Sequence, residues 1–180
     1  MSHSEFNRLL INLKHAQECF DAAWSRLRSK KSAGDAYKEA SQLNEQRLHA
    51  CNQLYKALSF YHDDFLAGNE AAIDRIIAFI EVDVPAFRSG YAKEWYYDKL
   101  KNMFLNAKQK NRLKAYALDL LRAPNYRREW SNLCHLLIAI SDQEFLGEVK
   151  KIASEGSTDK IRLRASRTVD RIINSRHDLS

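Results

Sequence analysis

Five glycines and two prolines are all that interrupt 180 residues. A β-sandwich or barrel needs a turn signal every 8 to 12 residues, so so few breakers exclude it and leave long helices. Hydrophobic residues make up 45% of the chain and charged residues 29%, enough for a packed core under a solvated surface. The length suits one domain or two very small ones. No stretch reaches the roughly 18 uncharged apolar residues of a membrane span, so no membrane partner is expected.

The first helix is written plainly. Ser2-x-x-Glu5 has the form of a capping box. Behind it Phe6, Leu10, Leu13, Gln17, Phe20, Trp24 and Leu27 recur at spacings of four and three. Arg26, Arg28, Lys30 and Lys31 then favour the negative end of the helix dipole. Gly34 ends the helix and Asp35 caps the next, which runs to about Ala67 with Leu43, Ala50, Leu54, Leu58, Tyr61 and Phe65 on its apolar side. At 1.5 Å per residue these helices span about 40 and 50 Å and form an antiparallel hairpin over residues 1–67. Gln17 and Arg47 occupy stripe positions, so the seam is not fully dry. One hairpin buries one side of each helix, which makes homodimerisation through it an expectation.

From Gly68 the helices shorten. Gly68-Asn69 reads as a helix stop followed by an N-cap. Ile73, Ile76, Ile77 and Ile80 form one stripe, ended near Pro85, and Leu113, Tyr116, Ala117, Leu120 and Leu121 another, ended by Pro124. A third helix opens at Ser141-x-x-Glu144, carries Leu146, Val149 and Ile152, and stops at Gly156. The helices that follow these three align with one another. With Phe87, Tyr126 and Ile161 at position zero, the next residue is always Arg (Arg88, Arg127, Arg162), and Tyr91, Trp130 and Ala165 stand four residues on. Trp95, Cys134 and Val169 stand eight on, and the intervals between repeats are 39 and 35 residues. Helix pairs at such a period are the mark of a solenoid. The shared Arg is expected to bond an acid or carbonyl of the neighbouring repeat.

Residues 69–176 resemble the HEAT family of helical repeats, most closely at Asp159-Lys160-Ile161-Arg162-Leu163-Arg164-Ala165 leading to Val169 and Ile172. The earlier repeats keep the Pro-x-aromatic-Arg start but carry Tyr91 and Trp130 where the family prefers Ala. The resemblance implies a right-handed stack of helix pairs, so the expected architecture is all-α, the hairpin followed by about three helix pairs over 68–180. It also implies that the second helices line a binding surface. The Trp-Leu-Gly-Tyr pattern of tetratricopeptides is absent.

Residues 1–85 hold 10 basic and 12 acidic residues, whereas 86–180 hold 19 and 11. The excess points to an acidic partner for the C-terminal half, or else to a solubilising surface with no dedicated partner. The positions opposite the apolar face of the second helices are Ser89, Lys93 and Tyr96; Arg128, Asn132 and His135; Leu163, Arg167 and Asp170. Tyr97, Arg164 and Arg171 flank them. The candidate binding residues are therefore Lys93, Trp95, Tyr96, Arg128, Trp130, Arg164, Arg167 and Arg171. The bland alternative is a solvated helix surface laced with i,i+4 pairs. The run Lys99, Lys101, Lys108, Lys110, Arg112, Lys114 reads as exposed junction chemistry.

Signals for catalysis are thin. His62-Asp63 resembles the His-Asp pair of the HD phosphohydrolases, but no fitting upstream His or further ligand accompanies it. His15 and Cys19 lie four apart on one helix, while His49 and Cys51, two apart, point in different directions and cannot share an ion with them. No glycine-rich phosphate loop, GxSxG or HExxH occurs. No cofactor is expected, and an enzyme would need a pocket of scattered carboxylates or histidines. Cys19, Cys51 and Cys134 lack any CxxC pairing, and residues 1–5 lack the basic and apolar segments of a signal peptide, so a cytoplasmic setting is expected. The leading expectation is an interaction module binding a protein partner, with nucleic acid held through the basic half as the alternative.

Overall fold

The computed structural model describes residues 2–29, 34–82, 89–124 and 129–177. Among these the chain is all-helical, with nine helices and no strand. It divides into two compact units, Met1–Ser89 and Gly90–Ser180.

In the first unit, helix α1 (His3–Ser29) opens as its sequence dictates. The Ser2 N–H donates to the Glu5 carboxylate at 2.6 Å, and the Glu5 N–H donates to Ser2 Oγ at 3.2 Å. These bonds satisfy two otherwise orphaned donors, and the one from the Ser2 N–H to the carboxylate lowers the Glu5 pKa. Phe6, Leu10, Leu13, Gln17 and Ala23 are buried, and Trp24, stacked on Phe20, is partly exposed. Helix α2 (Gly34–Ser59) runs back along α1, with Arg26 paired to Glu39 at 2.6 Å and Arg47 donating to Gln17 Oε1 at 3.3 Å. The polar seam expected from Gln17 and Arg47 is thus present, and the Arg47 guanidinium also lies 4.8 Å from the Phe20 ring centroid.

Helix α2 stops earlier than the apolar spacing implies. The N–H groups of Phe60 and Tyr61 bond three residues back, to Ala57 and Leu58, and the Ser59 hydroxyl donates to the Lys56 carbonyl at 2.7 Å. This tightened turn re-aims the chain into a short α3 (His62–Leu66), burying Phe65 and setting Tyr61 edge-on to Phe6. Gly68, at φ +78°, then closes α3 with N–H bonds from Gly68 to Phe65 O and from Asn69 to Asp64 O. Asn69 Oδ1 accepts from the Ala72 N–H at 3.1 Å and starts α4 (Glu70–Val82), as read from the sequence.

Helix α4 belongs to the first unit, so the units part at 89/90 and not at 67/68. The reason lies in its stripe. Ile73, Ile76, Ile77 and Ile80 are all but fully buried, Phe79 meets Tyr55 at 6.3 Å, and Arg75 covers the Tyr61 ring at 4.4 Å.

The second unit contains α5 (Ser89–Leu100), α6 (Ala107–Arg122), α7 (Trp130–Ile140), α8 (Gln143–Glu155) and α9 (Asp159–His177). A capping box unread in the sequence starts α6, with Asn106 and Gln109 exchanging bonds of 2.9 and 3.1 Å. At α8 the cap is Asp142, one residue beyond the expected Ser141, and its carboxylate accepts from the Phe145 N–H at 2.9 Å. Gly156 is required for packing: a Cβ there would lie 2.7 Å from the Ile152 carbonyl oxygen and 2.8 Å from Ile161. Helix α8 packs on α9, α7 on α9, and α6 on α7, α8 and α9. Phe87, Arg88, Tyr126, Arg127, Arg128, Pro85, Lys30 and Lys31 lie outside the described residues, so two of the three repeat starts expected from the sequence do too.

Candidate functional site

The face of α9 that carries Lys160, Leu163, Arg164, Arg167, Thr168 and Arg171 follows the i, i+3, i+4 rule, so one helix turn after another presents a cation on the same side. Across from it stand Trp130 and Cys134, one turn apart on α7, with Pro124 beside them. Together these nine residues line a groove of about 460 Å³. Four of the nine are cationic and none is acidic. A concave surface of one sign focuses the field that an anion experiences.

The groove is held from behind. Arg164 Nη1 donates to the Leu120 carbonyl at 3.0 Å, placing a cation at the end of α6 where the helix dipole is negative. Thr168, itself buried, returns its hydroxyl to the Arg164 carbonyl at 2.9 Å. Burial raises the Cys134 thiol pKa, and the neighbouring Arg171 and Thr168 only partly oppose it. Burial thus favours the neutral thiol of Cys134 in the groove wall.

Of the residues nominated from sequence, Trp130, Arg164, Arg167 and Arg171 come together here. The others do not. Lys93 is 1% exposed, its Nζ donating to the Tyr116 hydroxyl at 3.1 Å, so a position read as solvent-facing is internal. Tyr96 is also buried, which pushes its phenol up to about 12. Trp95 is half-exposed beside it, with Lys99 5.7 Å over its ring. Trp130 is 5% exposed, so it floors the groove and cannot project as an anchor. Arg128 lies outside the described residues.

Arg162, which the sequence alignment pairs with Arg88 and Arg127, donates to the Asp159 carboxylate and, at 2.6 Å, to the Gly156 carbonyl. Asp159 lies in the first turn of α9 and Gly156 is the C-cap of α8, whereas Arg164, two residues later, reaches α6 through the Leu120 carbonyl. In the basic run at the α5–α6 junction, Lys101 pairs with Asp98 and Lys114 with Asp142, at 2.6 and 2.5 Å. Sequence reasoning missed Lys160 as a lining residue and Phe104, which is 92% exposed after α5. Lys160 falls on the helix face already marked by Arg164 and Arg167, a signal that was available; Phe104 follows no periodic pattern.

Among the described residues no group of three or more His, Cys, Asp or Glu side chains could hold a metal ion. His15 and Cys19 meet at 3.7 Å within α1, and His49 bonds Gln53 at 2.9 Å. No helix among them is long and apolar enough to cross a membrane. Comparison of the chain with family models, curated proteins and solved structures gave no match.

Proposed function

We propose that this chain is a non-enzymatic helical-repeat interaction module that binds a protein partner through the α7–α9 face of its C-terminal unit. The observation that carries this reading is the groove with four cations and no acid among its described lining residues. The packing of α6 on α8 and of α7 on α9 supports a HEAT-like stack, in which first helices meet first helices and second meet second. In that stack α7 and α9 are the second helices, which present the binding surface. The proposed setting is the cytoplasm, where Cys19, Cys51 and Cys134 remain thiols.

Site-specific photo-crosslinking from Leu163 in cells tests the reading, with the exposed Leu66 on α3 of the first unit as the control. The expected result is a discrete protein adduct at Leu163 that is lost on Arg167→Glu. A nucleic-acid adduct at Leu163 in place of a protein would replace the reading with a phosphate-binding one.

A second reading has its own observation. Ile11, Tyr37 and Leu48 are exposed on α1 and α2, at 67, 62 and 36%, which favours self-association of the N-terminal unit. Sedimentation of Ile11→Glu against the unaltered chain would separate a dimer from a monomer.

A further inference from the structure

The groove has an apolar centre as well as a cationic rim, and that combination narrows its ligand. Leu163 is 52% exposed between Lys160 and Arg164, and the floor beneath is Trp130 and Cys134, at 5 and 1%. We infer that the groove receives an acidic segment of the partner protein, with carboxylates set against Lys160, Arg164, Arg167 and Arg171 and one aliphatic side chain seated on Leu163. This rests on the interaction-module reading above and names the partner's chemistry.

Three points favour a peptide over a nucleic-acid strand. Guanidinium groups match carboxylates bidentately, and several stand in a row. The distance along α9 from Lys160 to Arg171 is about 16 Å at 1.5 Å per residue, which an extended segment of about five residues spans. Base recognition on single strands needs an aromatic face to stack upon, whereas Trp130, the one aromatic ring among the groove's described lining residues, is almost wholly covered. What the groove exposes is an aliphatic side chain, which suits another aliphatic one.

The test is a chemical-shift titration of the full chain with four probes. They are a glutamate-rich peptide with a central leucine, the same peptide with glycine for leucine, its glutamine-for-glutamate version, and oligothymidine. The first is expected to shift residues 160–171 and to bind tightest, with Arg167→Glu weakening it about tenfold. Leu163→Ser is expected to abolish the preference for the leucine peptide over the glycine one. Both positions are exposed, and helical content by circular dichroism checks that the variants fold; Arg167→Gln replaces Arg167→Glu if that check fails. Equal binding of the glutamine peptide overturns the acidic-segment inference and leaves the interaction module standing. Tighter binding of oligothymidine, sensitive to Arg167→Glu, overturns the module reading itself. No shift on α9 with any probe overturns both.

Discussion

In residues 1–89 the most deeply buried side chains include Phe6, Phe65, Ile76, Ile77 and Ile80, each essentially unexposed, and Arg47 and Arg75 lie over the rings of Phe20 and Tyr61. In residues 90–180 a lysine is buried as deeply, with Lys93 at 1% beside Leu113, Leu133 and Leu137 at 0%. The second unit has 18 basic against 11 acidic residues, but part of that charge is committed to structure. Lys93 bonds Tyr116, Lys114 is tied to Asp142, and Arg164 holds a carbonyl. A charge count therefore overstates the surface potential of this half. What matters for a ligand is where the remaining cations converge, and three of them, Lys160, Arg167 and Arg171, line the groove along α9 beside Arg164.

The sharpest way to probe the apolar side of this contrast is Phe65→Ala. The ring is fully buried and its loss is expected to cost about 3–5 kcal/mol by urea unfolding. A loss under about 1 kcal/mol would mean that the site collapses freely, and that the first unit is less rigidly packed than its burial suggests. Lys93 probes the other side. Lys93→Ala removes the buried stem and the donor to Tyr116, with an expected cost of about 2–4 kcal/mol. The double change Lys93→Met with Tyr116→Phe is expected to cost less than Lys93→Ala, because it removes donor and acceptor together and keeps the volume. If the double variant is the less stable of the two, the ammonium supplies specific stabilisation and the contrast between the units is stronger than drawn.

Much of the first unit was legible because its determinants are local. The Ser2–Glu5 box, the Gly68–Asn69 stop and cap, and the isoleucine stripe of α4 each lie within a few residues of what they control. The break at Ser59–Tyr61 was not legible, since no Gly or Pro marks it and a serine hydroxyl with shortened backbone bonds makes the turn. Nor could a stripe say which unit covers it: Ile73 to Ile80 read as buried, and only packing assigns α4 to the first unit. At the candidate site, helical spacing put Arg167 opposite the apolar face of α9 with Arg164 and Arg171 flanking it, and all three line the groove. It failed at Lys93 because a lysine at a surface-phase position reads as solvated, and its partner is 23 residues away on another helix.

A smaller effect tests the ionic pinning in the second unit. Asp142 caps α8 and accepts from Lys114, and its pKa is lowered by the Lys114 bond first and the Phe145 N–H second. A carboxyl depressed in the folded state stabilises above its unfolded pKa, and that contribution is lost as pH falls through the folded value. Asp142→Ala is therefore expected to cost about 1 kcal/mol at neutral pH. The gap between variant and parent should narrow once acid has protonated the carboxylate, followed by denaturant midpoints from neutral to strongly acidic pH. A gap constant with pH would show that the charge is irrelevant to the cap.

The counterpart in the first unit is Arg26–Glu39, and here the smallest change is expected. Both side chains are about half exposed, at 55 and 51%, so water and salt compete for each charge although the atoms approach to 2.6 Å. Glu39→Gln should alter stability by less than about 0.5 kcal/mol. Whatever difference exists should fade as salt rises, because the Debye length shrinks to about 3 Å at 1 M. Denaturation at low and high salt checks both points together. A larger loss that persists at high salt would place this ion pair with Lys93 as a true structural pin. The two units would then differ in where their charges sit, and no longer in whether charge holds them together.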